Sequence, residues 1–133
     1  MQRLFVYGTL EFPIIVKKLL GKTLAGEPAR LNGYERYLLV NRAYPGIISQ
    51  PGAGVDGVLY LGITPKYLKR LDRYEDTIYE RRRVQVTDSR GQPVAAWAYV
   101  IPPQRQRELS NQPWDRNTFM QTQLKRFLTI RCR

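Results

Sequence analysis

The segment Tyr67-Leu68-Lys69-Arg70-Leu71-Asp72-Arg73-Tyr74-Glu75-Asp76-Thr77-Ile78-Tyr79 opens as a short helix. Thr64 suits the N-cap and Pro65 the first helical position. Leu68, Leu71 and Glu75 recur at helical spacing and share one face, with Lys69, Arg73 and Asp76 on the wet side. A glutamate at the end of an apolar stripe is a local contradiction, and such contradictions concentrate at functional sites. Raising a glutamate to near neutrality takes roughly two pKa units, about 2.7 kcal/mol. Partial burial beside apolar walls supplies that, and the group then takes and returns a proton at neutral pH. A second reading stands beside this one: the helix stops before Glu75, whose side chain joins a surface ion pair among the nearby arginines. Periodicity leaves both open.

At 133 residues the chain is long enough for one domain with its own core. No run of about 18 apolar residues is present, so no membrane span is expected, and no secretory signal is read at the start. The single cysteine, Cys132, fits a reducing, cytoplasmic setting. The chain has no histidine, which excludes Ser-His and Cys-His nucleophilic pairs and makes a zinc site improbable. Acid–base work falls to Glu, Asp, Lys or Tyr, and neither metal nor cofactor is expected. The net charge of +11 raises a nucleic-acid hypothesis, but apart from Arg81-Arg82-Arg83 the excess is spread along the chain. No nucleic-acid-binding signature accompanies it, so charge alone supports loose, salt-sensitive binding at most.

Residues 2–7 read as a strand closed by Gly8. A helix follows from Pro13 to about Leu20, with Gly21 as its stop. Tyr7-Gly8-Thr9-Leu10 therefore sits at a strand-to-helix junction, where freed backbone N–H groups can hold an anion and Gly8 admits a ligand close to the backbone. Residues 23–40 read as two strands around an Asn32-Gly33 turn, and Pro51-Gly52-Ala53-Gly54 as a loop before a strand over 55–61. Strands are expected over 79–86 and 94–100, joined by a hairpin turn at Asp88-Ser89-Arg90-Gly91. Residues 1–101 form the compact domain. Residues 102–133 are a basic extension, whose Phe119, Met120, Leu124, Phe127 and Leu128 predict one amphipathic helix packed on the same domain.

The ordered set of Tyr7-Gly8-Thr9-Leu10, Gly33-Tyr34, Arg42-x-Tyr44-Pro45-Gly46, Gly57-Val58-Leu59-Tyr60 and Leu71-Asp72-Arg73-Tyr74-Glu75 followed by Tyr79 resembles the gamma-glutamylcyclotransferase-like superfamily. It is most similar to the AIG2-like and gamma-glutamylamine cyclotransferase branch. The resemblance covers about residues 3–100. It implies an α+β fold, a small mixed β-barrel flanked by short helices, with a pocket at one barrel mouth. It also implies a small-molecule gamma-glutamyl substrate, whose free α-amine attacks its own γ-carbonyl to release 5-oxoproline and an amine. By position Glu75 would be general base and then acid. The loop of Tyr7, Gly8, Thr9 and Leu10 would hold the glutamyl end through backbone N–H groups, with Tyr79 as an aromatic neighbour of the pocket. Many relatives carry Gly where Asp76 follows Glu75 here. Two alternatives keep the scaffold without the chemistry: an idle binder of a small carboxylate or protein partner, and a basic domain associated with nucleic acid.

Overall fold

The computed structural model describes residues 2–75 and 77–131, the side chains of Ile130 and Arg131 excepted. Asp76 and Cys132, singled out in the sequence, lie outside the described residues. Five strands, β1 (Gln2–Val6), β2 (Gly26–Leu38), β3 (Pro45–Ile63), β4 (Glu80–Thr87) and β5 (Pro93–Val100), close into a barrel in the order β1-β3-β2-β4-β5. All pairs are antiparallel except β5 with β1, where Leu4 lies opposite Trp97, so the barrel is mixed. Among the described residues four α-helices flank it: α1 (Pro13–Leu20), α2 (Pro65–Tyr74), α3 (Arg116–Thr122) and α4 (Leu124–Arg131). The α+β barrel expected from the resemblance is the fold. Among the described residues no helix is long and apolar enough to cross a membrane.

Alternation along β1 and the residue that follows it builds two apolar layers. Phe5 and Tyr7 pack with Ala29, Leu31, Ile47, Leu59, Val86 and Ala98, residues drawn from the other four strands, and fill the barrel. Leu4 and Val6 pack on the other side with Ile15 and Val16 of α1 and with Leu68 and Leu71 of α2. A slip of one residue would exchange the two layers, so the register is held from both faces.

Three expectations are corrected. First, Asn32-Gly33 is no hairpin turn and 51–54 no loop. β2 runs unbroken past Gly33 (φ 86°) while β3 runs through Pro51-Gly52-Ala53-Gly54. The register jumps from Asn32 opposite Gly54 to Tyr34 opposite Ser49, leaving Gly33 to face Gln50–Ala53 as a bulge. Pairing along both strands outweighs the local turn signal. Second, α2 ends at Tyr74. Leu68, Leu71 and Tyr74 are its buried residues, so Tyr74 rather than Glu75 completes the apolar stripe. Third, the C-terminal segment forms two helices, broken at Gln123 (φ −126°, ψ −23°), and Met120 is exposed. Aromatic rings pack on both sides of the break. Phe119 sits 5.5 Å from Phe12 and 5.8 Å from Trp114, while Phe127 reaches Phe119, Tyr74 and Tyr44 at 5.4, 6.1 and 6.2 Å.

Candidate active site

The C-terminal ends of β1 and β5 and the starts of β3 and β4 lie at one end of the barrel, because β1 and β5 are parallel and their other neighbours antiparallel. A cavity of about 30 Å³ opens there. Its wall includes Tyr7, Gly8, Thr9 and Leu10 after β1, Pro45 at the start of β3, Tyr74 and Glu75 at the end of α2, Tyr79 before β4, and Tyr99 of β5. Phe5, Val6, Tyr44 and Phe127 also line it, the last reaching over from α4. All six residues singled out from the sequence, Tyr7, Gly8, Thr9, Leu10, Glu75 and Tyr79, thus meet around one space.

Glu75 arrives there by the way α2 stops. Its backbone N–H still donates to the Leu71 carbonyl at 3.0 Å, but its dihedrals are extended (φ −69°, ψ 147°). The turn at the cap, not the helix face, therefore sets the direction of the half-buried side chain. Neighbouring groups register its charge. Burial pushes the Tyr7 and Tyr99 hydroxyls well above the ordinary tyrosine value, and the Glu75 carboxylate pushes both further in the same direction. Glu75 also borders a second hollow of about 290 Å³, lined by Asp72, Thr77, Tyr79, Arg81 and Tyr99. It stands between the narrow cavity and the wider space.

The loop after β1 is held from several sides. Arg36 donates to the Tyr7 carbonyl at 2.8 Å, Tyr60 donates its hydroxyl to the Leu10 carbonyl at 2.8 Å, and the Thr9 and Tyr74 hydroxyls are bonded at 2.9 Å. The Glu11 and Phe12 amides close the turn on the Gly8 and Thr9 carbonyls. Among the described residues the amides of Gly8, Thr9 and Leu10 make no such bond. Gly8 is required by close approach: a Cβ there would stand 2.8 Å from Cγ and Cδ of Pro45. The loop's side-chain hydroxyls are committed within the protein, Tyr7 to the Tyr99 carbonyl at 2.6 Å and Thr9 to Tyr74, and Tyr79 donates to the Pro45 carbonyl. Among the described residues, the loop's polar groups left without such a bond are the backbone amides of Gly8, Thr9 and Leu10.

Sequence reasoning did not single out Asp72, Tyr74, Tyr99, Arg36 or Phe127 as parts of this site. Asp72 accepts from the Tyr99 hydroxyl at 2.7 Å and pairs with Arg81 at 2.9 and 3.2 Å. The arginine triplet divides its work. Arg81 lines the wider hollow and stacks on Trp97, Arg82 pairs with Glu80, and Arg83 stacks on Trp97 while donating to Gln2. Strand alternation around Trp97 was the available signal for Arg81 and Arg83. Nothing local in the sequence announced Arg36 or Phe127.

The profile of the family described as "Gamma-glutamyl cyclotransferase, AIG2-like" matches residues 4–116. The chain is 34% identical over 132 residues to AIG2-like protein D of Arabidopsis thaliana, covering 98% of this chain and 86% of that protein. It spans about half the length of other curated AIG2 relatives that it matches. A solution structure of an Arabidopsis thaliana protein superposes with a TM-score of 0.76 at 26% identity, covering 96% of this chain and 86% of that one. A structure described as gamma-glutamyl cyclotransferase superposes with a TM-score of 0.65 at 17% identity, covering 79% of this chain and 73% of that one, a likeness of fold.

Proposed function

The chain belongs to the gamma-glutamyl cyclotransferase, AIG2-like family, and on that premise we propose that it releases 5-oxoproline and a free amine from a gamma-glutamyl-amine. The single observation that carries the reading is that Glu75 and the loop from Tyr7 to Leu10 line one cavity. The amides of that loop hold the glutamyl end and take up the charge that develops on the γ-carbonyl oxygen. Glu75 removes a proton from the substrate ammonium. The freed nitrogen attacks the γ-carbonyl carbon and closes a five-membered lactam. The bond from that carbon to the leaving nitrogen then breaks. Glu75 hands the ammonium protons in turn to the leaving nitrogen, which departs as an ammonium. No water, oxidant or reductant is consumed, and no side chain needs to act as nucleophile. The wider hollow on the Asp72–Arg81 side takes the leaving amine, since Glu75 borders both spaces.

The test is mass-spectrometric detection of 5-oxoproline after incubation with a panel of gamma-glutamyl-amines. Wild type releases it from at least one member, and Glu75→Gln lowers the rate by about 10²–10⁴-fold without loss of fold. Gamma-glutamyl ligands that bind with no release of 5-oxoproline across the panel would replace this reading with that of an idle binding protein.

A further inference from the structure

A buried carboxylate that none of these steps uses lies behind the cavity loop. Glu11 ends the Thr9–Glu11 turn, its side chain is 10% exposed, and its buried Oε2 accepts no hydrogen bond among the described residues. Arg36 Nη1, from β2, stands 4.0 Å from that oxygen and donates to the Tyr7 carbonyl at 2.8 Å. The other titratable and charged groups that bear on Glu11 are Arg116 of α3, which works with Arg36 to hold its charge, and Tyr60 of β3, whose hydroxyl feels that charge. Arg36 itself lies over the Trp114 ring, 5.4 Å from its centre.

A peptide unit is planar and trans, so its C=O and N–H point to opposite sides. A guanidinium that grips the Tyr7 carbonyl therefore turns the N–H of Gly8, the other half of that peptide, away from itself. Gly8 is part of the cavity wall. We propose that Arg36 is a positioning residue that fixes the tilt of the Tyr7–Gly8 peptide, and that Glu11 in turn holds Arg36 in place. The link to turnover rests on the cyclotransferase reading; the link to the peptide does not. Burial raises the Glu11 carboxyl to about 7 while Arg36 and Arg116 pull it down, so its charge changes near neutrality. Ionised, Glu11 anchors the guanidinium by charge. Protonated, it releases that hold, and the Gly8 amide loses its fixed direction.

The test follows the Gly8 amide in ¹⁵N-labelled protein from pH 5.5 to 8.5. In wild type its shift moves with a midpoint near 7. The movement persists in Glu75→Gln and is lost in Glu11→Gln and in Arg36→Met, with Arg36→Lys as the charge-keeping variant that restores part of it. A Gly8 amide that titrates alike in wild type and Glu11→Gln, or is unmoved by Arg36→Met, overturns the proposal. Kinetics supply the second arm, on any gamma-glutamyl-amine that wild type turns over. Arg36→Met loses roughly tenfold or more in kcat/KM from misplacement of a single donor, and Glu11→Gln falls short of wild type above pH 7 but matches it below, where both carry a neutral side chain at that position. Unchanged kcat/KM in Arg36→Met also overturns it. Absence of 5-oxoproline from wild type would sink the cyclotransferase reading alone, and the amide titration would still decide the role of Arg36.

Discussion

Replacing Glu11 by the neutral, near-isosteric glutamine should reshape how stability depends on pH. In the folded chain the Glu11 carboxyl is raised from 4.5 to about 7, first by burial, with Arg36 and Arg116 opposing. Because the folded value lies above the unfolded one, the native state binds this proton more tightly. The resulting stability is fully present below pH 4.5 and is lost as pH rises through 7. The difference of 2.5 units, 7 less 4.5, corresponds to about 3 kcal/mol at 1.36 kcal/mol per unit. The arginines' contribution is already inside that net value, and a side chain only 10% exposed needs little discount for solvent screening. Glutamine carries no such penalty. The carboxylates held below their ordinary range, Glu80, Asp88 and Asp115, act with the opposite sign but are common to both proteins. Urea unfolding followed by tryptophan fluorescence at pH 4 to 9 measures the effect. The stability of Glu11→Gln relative to wild type should climb by about 3 kcal/mol between pH 4 and pH 8. A flat difference across that range would refute the burial argument, and a difference that falls with pH would reverse it.

Other substitutions probe the rest of the site. Gly8→Ala drives a Cβ to within 2.8 Å of the Pro45 ring; it should cost about 1–3 kcal/mol by thermal unfolding and lower kcat/KM by more than stability explains. Thr9→Val removes the 2.9 Å bond between the loop and Tyr74, costing about 1 kcal/mol in urea titration, and a loss above 3 kcal/mol would mean that the loop is held in a different way. Phe119→Ala empties a ring that is 2% exposed between Phe12, Trp114 and Phe127. About 3–5 kcal/mol should be lost, with faster amide exchange confined at first to α3 and α4; a uniform increase across the barrel would refute the packing account.

Elements with short-range signals were legible. Thr64 does cap α2, its Oγ1 accepting from the Tyr67 amide at 3.2 Å, and Pro65 opens the helix. The turn at Asp88–Gly91 closes through the Gly91 amide on the Asp88 carbonyl at 3.0 Å. The bounds of α1 and the apolar run that marks β1 were likewise readable. Asn32-Gly33 and Pro51–Gly54 misled because turn-forming residues also suit bulges, and only the partner strand decides which is made. The position of Glu75 was read from helix periodicity, yet the helix stops one residue earlier and an extended cap delivers the side chain to the cavity.

By itself the sequence determined where α1 and α2 start, which segments favour strands, and that with no histidine any acid–base work falls to Glu, Asp, Lys or Tyr. Caps, alternation and composition act over a few residues, so they are written locally. Only the tertiary structure decided that Arg36 grips the carbonyl of Tyr7 across 29 residues and that Tyr60 holds Leu10 across 50. It also decided that Phe127 walls the cavity from the far end of the chain. Those contacts exist because closing a barrel brings strand ends together irrespective of their distance along the chain, and no local pattern encodes which ends will meet.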